Sequence, residues 1–403
     1  MTRTGGPMSG AESIPITNTG REQKGTHKMY QLTNEQRACF GLSPVEEHWI
    51  PMVLKPSPYH RHTTVAYREG LTLRKIVYSG PDRYVETALN DQLSEDLKYL
   101  LPRTGRGKPV LLTAASAEKR GGMGMCLRWL LTLSNLSLWH EESQHVWYDY
   151  HYEGFSVETI EDFAAWVDRW CAETTQADLD ALASLAQSKR LHVKYREGDV
   201  FRFRISRRLY GYGRILLDYR KMKKRGEPII SPFISGCLDC AVYHIVTERD
   251  DVTVEELEKL PCLPATHISD NRIYYGDYEI IGHIPLREKE DWPILYDHIY
   301  RENKALLQCG RLLRSLPDAP CVAKNFDYLY ISPWLIEPLL PILGECMEAG
   351  NNGPYWAAQS PYHRQDLRNP RHRPELERVC AQMGLDPDDL LAPGDHLPAR
   401  NSV

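Results

Sequence analysis

The chain has 403 residues, 42% of them hydrophobic and 26% charged, which is enough material for two or three domains with real cores. That is the composition of an ordinary soluble globular protein, and it excludes a wholly disordered chain, a collagen-like chain and a coiled-coil rod. Its 49 Lys and Arg against 54 Asp and Glu leave a net charge of −5, which excludes a globally basic nucleic-acid binder but not a local basic patch.

Residues 1–28 are rich in Gly, Ser and Thr and nearly lack large apolar side chains. They cannot bury enough surface to offset their ordering entropy, and a mobile tail is expected. Thr33 and Gln36 then fit a capping box on a short helix that Gly41 can end. From Trp49 to about Tyr152 the chain reads as strands and turns, with Thr64–Tyr67 and Leu71–Tyr78 rich in Val, Ile, Thr and Tyr. Glu86–Leu100 reads weakly as a helix. Ile160, Phe163, Ala164, Val167, Trp170 and Cys171 form one helical stripe after a Ser156 cap, and Thr175 with Asp178 restarts a second helix. This pair closes a first α+β domain over residues 29–189.

At Lys189 the period changes from 3.6 to 2. Phe201, Phe203 and Ile205 alternate with Arg202 and Arg204, as in a half-buried antiparallel strand with an arginine face. Tyr210-Gly211-Tyr212-Gly213 reads as a turn into a strand over Arg214–Tyr219. Ala241–Thr247 and Tyr278–Leu286 read as further strands, and Thr253 with Glu256 as the cap of a short helix. Lys304–Leu316 fits a helix or a buried strand equally. The expected second domain, residues 190–350, is thus a mainly antiparallel sheet that could close into a barrel, and the fold class is α+β. Residues 351–403 hold seven prolines and read as an extension with one short helix, Pro374 at its start and Gly384 past its end.

The ten cysteines are scattered without framework spacing, as expected of small buried hydrophobes in a reducing compartment. No apolar leader region and no run of about 18 apolar residues is present, so the cytoplasm is the expected location. Cys237 and Cys240 form a CxxC, and zinc takes two ligands from such a turn, but a second compact pair is missing. Two buried thiols at a strand start are the simpler reading. His60 and His62 form an HxH whose rings would share one face of a strand and could meet one metal. The βα alternation of a barrel hydrolase does not follow it. GxSxG, Walker and GxGxxG motifs are absent.

Residues 189–225 carry 14 Lys or Arg against Glu197, Asp199 and Asp218, a local charge of +11 that leaves −16 for the rest. Three readings stay open: phosphate binding with tyrosines stacking on bases, docking of an acidic protein, or a solvated sheet face neutralised by the chain's own carboxylates.

Two stretches carry a resemblance. The first runs from His192-Val-Lys-Tyr-Arg-Glu-Gly198-Asp199-Val-Phe201 through Arg208-Leu-Tyr210-Gly-Tyr-Gly-Arg214 to Asp218, and the second is Asn271-Arg-Ile-Tyr-Tyr-Gly-Asp-Tyr-Glu-Ile-Ile-Gly282. Together they resemble the bacterial immunity protein 26 family, with its GD-x-F strand, YGYGR segment and G-x-x-x-I-I-G strand in order. The N-terminal half is similar to longer members in Leu32–Arg37, Leu101-Pro102 with Gly107-Lys108, and Lys189-Arg190, so the likeness spans residues 30–345. It implies a protein that binds a cognate toxin domain in the cytoplasm and blocks it by stoichiometric contact, with no catalytic residues and no cofactor. The expected contacts are Arg202, Arg204, Arg207, Arg208, Tyr210, Tyr212 and Arg214, since Arg and Tyr dominate protein hot spots. Some relatives carry a phosphotriesterase label, which makes a metal-dependent phosphoester hydrolase the alternative, with His60, His62, Cys237 and Cys240 as its ligand candidates. A nucleic-acid-binding module is the third reading.

Overall fold

The computed structural model describes residues 29–55, 62–150, 157–260, 262, 266–290, 294–299, 304–316, 326–327 and 372–390. The expected tail over 1–28, His60, the Ser156 cap and most of the proline-rich extension lie outside these residues. The chain divides into two compact units, residues 1–150 with 154–190 and residues 151–153 with 191–403.

The first unit is one antiparallel sheet with helices against it. Its elements are α1 (Asn34–Cys39), β1 (Ile50–Val53), β2 (Thr63–Glu69), β3 (Thr72–Gly80), β4 (Arg83–Leu93), β5 (Tyr99–Leu101), β6 (Val110–Leu111), α2 (Ala114–Ala117), β7 (Met123–Leu130), β8 (Asn135–His140), β9 (His145–Asp149), α3 (Ile160–Glu173) and α4 (Gln176–Leu185). The order is β1-β2-β3-β4-β7-β8-β9, with β5 and β6 continuing from β4. The expected α3–α4 pair is present. The side chain of Thr159 caps α3 by accepting from the Asp162 amide, and the Asp162 carboxylate returns to the Thr159 amide. Thr175 and Asp178 do the same for α4. Phe163, Trp166, Val167 and Trp170 bury the inner face of α3 on Tyr84, Leu127, Trp129 and Tyr148. The Phe163 ring stacks on Trp129 at 5.3 Å.

Glu86–Leu100 is not a helix. It is the second part of β4 followed by β5. Tyr84 and Glu86 face the helices while Val85 and Leu89 enter the opposite cluster with Leu73, Ile76, Tyr78 and Leu100. A glutamate on the inner face hid the period of 2. Glu86 is fully buried and accepts from Arg37 at 2.6 Å, Lys75 at 2.6 Å and the Tyr84 hydroxyl at 2.5 Å. Lys75 also donates to the Ser43 carbonyl. This network ties α1 to β3 and β4.

The second unit holds β10 (Asp199–Arg204), β11 (Tyr210–Asp218), α5 (Tyr219–Lys224), β12 (Cys237–Thr247), α6 (Val254–Leu257), β13 (Thr266–Ser269), α7 (Asn271–Tyr274), β14 (Glu279–His283), β15 (Ile294–Ile299), β16 (Lys304–Cys309), β17 (Leu312–Leu316), β18 (Phe326–Asp327) and α8 (Arg373–Met383). Its first sheet is antiparallel and ordered β13-β12-β11-β10-β14. That sheet is open, with β13 and β14 at its edges, so the barrel expectation fails among the described residues. The ambiguous Lys304–Leu316 segment is the β16–β17 hairpin of a second, four-stranded sheet, turning at Gly310 with φ +54°. α8 ends at Gly384 in the left-handed region and packs Leu376, Val379, Cys380 and Met383 with Leu307 and Cys309.

Candidate partner-binding surface

The β10–β11 register explains the residue pattern of this region. Arg202 lies opposite Tyr212, Arg204 opposite Tyr210 and Val200 opposite Arg214, while Phe201 faces Gly213 and Phe203 faces Gly211. Tyr210–Gly213 is therefore not a turn but the first half of β11. A Cβ at Gly211 would sit 2.4 Å from the Phe203 ring, and one at Gly213 would sit 2.4 Å from Phe201. The glycines leave room for the two rings that lie across the strand. Two more motif glycines act similarly. Gly198 has φ +90° and a Cβ there would meet the Ile284 carbonyl at 2.6 Å, while one at Gly282 would meet Val254 of α6 at 2.2 Å.

The same register separates the seven expected contact residues. Tyr212 is fully buried, its hydroxyl donates to the Arg249 carbonyl at 2.8 Å, and burial raises the phenol pKa. Arg214 is also interior, donating to Glu290 at 2.8 Å and to the carbonyls of Ile284 at 3.0 Å and Pro285 at 2.8 Å. Arg207 is buried, and its carbonyl accepts from Arg204 at 2.7 Å. These three side chains face the interior. Arg202, Arg204 and Tyr210 are half-buried and Arg208 is exposed. The guanidinium of Arg204 lies 4.8 Å from the centre of the Tyr210 ring and donates to its hydroxyl at 3.0 Å. Arg202 sits 5.2 Å over the same ring and is held by Glu279 at 2.5 Å and the Asp250 carboxylate at 3.5 Å. The acidic segment around Asp250 thus returns to the basic strands and, with Glu279, neutralises Arg202.

The CxxC thiols do not converge, and His60 lies outside the described residues. Cys237 and Cys240 stand three apart on β12, which sends them to opposite faces. Cys237 joins Leu217, Tyr219 and Met222, whereas Cys240 joins Phe201, Phe203 and Ile215. Burial pushes the Cys237 thiol up to about 11 and that of Cys240 well above its usual value, the opposite of a reactive or metal-ready thiolate. His62 is buried edge-on against Tyr78 at 5.5 Å. Among the described residues no group of three or more His, Cys, Asp or Glu could hold a metal ion.

Asp239 sits inside the CxxC, directly before Cys240. It is fully buried, accepts from the Tyr219 hydroxyl at 2.9 Å and pairs with Nδ1 of His267. Because all three side chains are sealed in the interior, their chemistry is that of a tether joining α5, β12 and β13. Period-2 patterning gives no sign of it, since a buried Asp on a strand reads as a surface residue.

Residues 196–303 match the family model of immunity protein 26. The matched segment contains β10 to β15 and every motif glycine described above. The N-terminal half lies outside it. No curated protein and no solved structure matches the chain.

Proposed function

We propose that this protein is an immunity protein that neutralises a cognate bacterial toxin by direct, stoichiometric binding in the cytoplasm of the cell that makes it. The observation that carries this reading is the match to immunity protein 26 over residues 196–303, which falls on a sheet whose motif residues are accounted for as packing devices. An inhibitor of this kind needs a rigid, charged surface presented by a well-packed scaffold. Of the seven sequence-predicted contacts, Arg202, Arg204, Arg208 and Tyr210 are the four that reach solvent.

The test is to co-express the chain with the product of the adjacent upstream gene, score survival and look for a complex by size exclusion. Rescue of a toxic neighbour together with a co-eluting one-to-one complex is the expected result. Rescue without any complex, or a toxic neighbour that is not rescued, overturns binding-based immunity. In that case metal analysis of the purified chain and of a His60→Ala variant tests the hydrolase alternative.

A further inference from the structure

We infer that the partner docks on the surface formed by α5 and residues 191–196, and that the partner presents acidic side chains there. This rests on the immunity reading and places its interface.

The inference follows from which member of each ion pair faces out. Arg196 is 67% exposed against 9% for its partner Asp199, Arg220 is 42% against 4% for Asp270, and Lys221 is 38% against 2% for Asp218. In all three the carboxylate is inside and the cation outside. Other bonds fix the carboxylates in place. Asp199 accepts from the Arg196 amide at 2.8 Å and pairs with His283 at 2.9 Å, Asp218 accepts from the Lys221 amide at 3.0 Å, and Asp270 accepts from the Tyr195 hydroxyl at 2.7 Å. They cannot swing out to cover the cations.

The cationic groups form one surface. Lys221 donates to the Tyr195 carbonyl at 3.0 Å, and Arg220 and Tyr195 meet at the same Asp270, so α5 is tied to the 191–196 segment. Arg220, Lys223 and Lys224 stand at i, i+3 and i+4 and share a face of α5. Lys194, Lys223 and Lys224 are exposed, and among the described residues none has a carboxylate within ion-pair distance. His192, in the same segment as Lys194, stacks on Tyr274 at 5.0 Å, adding an aromatic edge of the kind found in protein hot spots.

The strand face has the reverse arrangement. Arg202 is 20% exposed, while its partners Asp250 and Glu279 are 65% and 60% exposed. An approaching acidic surface would meet carboxylates there and cations at α5. A field of this sign raises the association rate of an acidic partner and selects against basic ones.

The experiment titrates the full-length chain, K194E/K223E/K224E and R204E/R208E with the upstream-gene product, and separately with a single-stranded oligonucleotide, at low and high salt. The α5 variant is expected to lose about tenfold or more in affinity for the protein, mostly in association rate and mostly at low salt, while R204E/R208E binds like the parent. K194Q/K223Q/K224Q should lose less. It carries the test if the glutamate variant fails to fold, as judged by thermal unfolding. Parent-like affinity in both α5 variants overturns this placement and leaves the immunity reading standing. A parent chain that binds no protein overturns both. Oligonucleotide binding lost in the α5 variants, without protein binding, assigns the surface to nucleic acid and overturns the acidic-protein partner.

Discussion

Glu86 faces two cations and one hydroxyl in a site closed to water. Burial opposes its ionisation, but the charges of Lys75 and Arg37 and their hydrogen bonds hold the carboxyl below the usual range. Burial, the largest influence on Lys75, pulls the ammonium pKa down despite the same carboxylate. Glu86→Gln leaves two buried cations without a counter-charge and should cost roughly 3–5 kcal/mol of unfolding free energy in urea. Lys75→Met leaves the Arg37–Glu86 pair balanced and should cost less. The order of these two denaturation midpoints is the check, and equal midpoints would contradict the network as described. The pH dependence follows from the sign of the Glu86 shift. A carboxyl with a lowered native pKa contributes stability that is complete above the ordinary carboxylate range and is lost as pH falls through the native value. Glu86→Gln should therefore flatten the acid limb of the stability profile.

Among the elements, β11 shows where reading the sequence succeeds and where it fails. The helix pair is legible because an apolar stripe at period 3.6 has few competing explanations, although α3 starts on Thr159 rather than on Ser156. The alternation of Phe201 and Phe203 with arginines was equally plain. The glycines of Tyr210–Gly213 read as a turn because glycine most often marks one, but they lie inside a strand because two rings cross over them. Glu86 and Asp239 were invisible for a related reason: a charged residue on an inward-facing strand position mimics a break in the pattern. The glycine account makes a sharp prediction. Gly213→Ala drives a methyl into the Phe201 ring and should cost roughly 1–3 kcal/mol. Phe201→Leu in the same chain should recover part of that loss, giving a coupling in a double-mutant cycle. Additive losses in thermal or urea unfolding would show that the methyl is accommodated some other way.

At the scale of the whole molecule, a net charge of −5 conceals a basic surface at α5 and an acidic one around Asp250 and Glu279. The sequence located the basic run but could not say which member of each ion pair faces water, because that depends on backbone bonds that hold the carboxylates in. The two units also have separate cores. Aromatic side chains from α3, the first sheet and Phe40 just after α1 fill one, and the phenylalanines of β10 with β12, β13 and α7 fill another. The family match is confined to the second unit. A domain with its own core and its own backbone pairing is expected to fold alone. Residues 29–190, which hold six of the nine tryptophans, should therefore unfold cooperatively as an isolated fragment. The near-UV signal of packed rings such as Trp129, Trp166 and Trp170 should be present in the fragment and vanish in one transition with the far-UV signal. A fragment with strand and helix content but no near-UV signal would mean that this core needs the second unit to form.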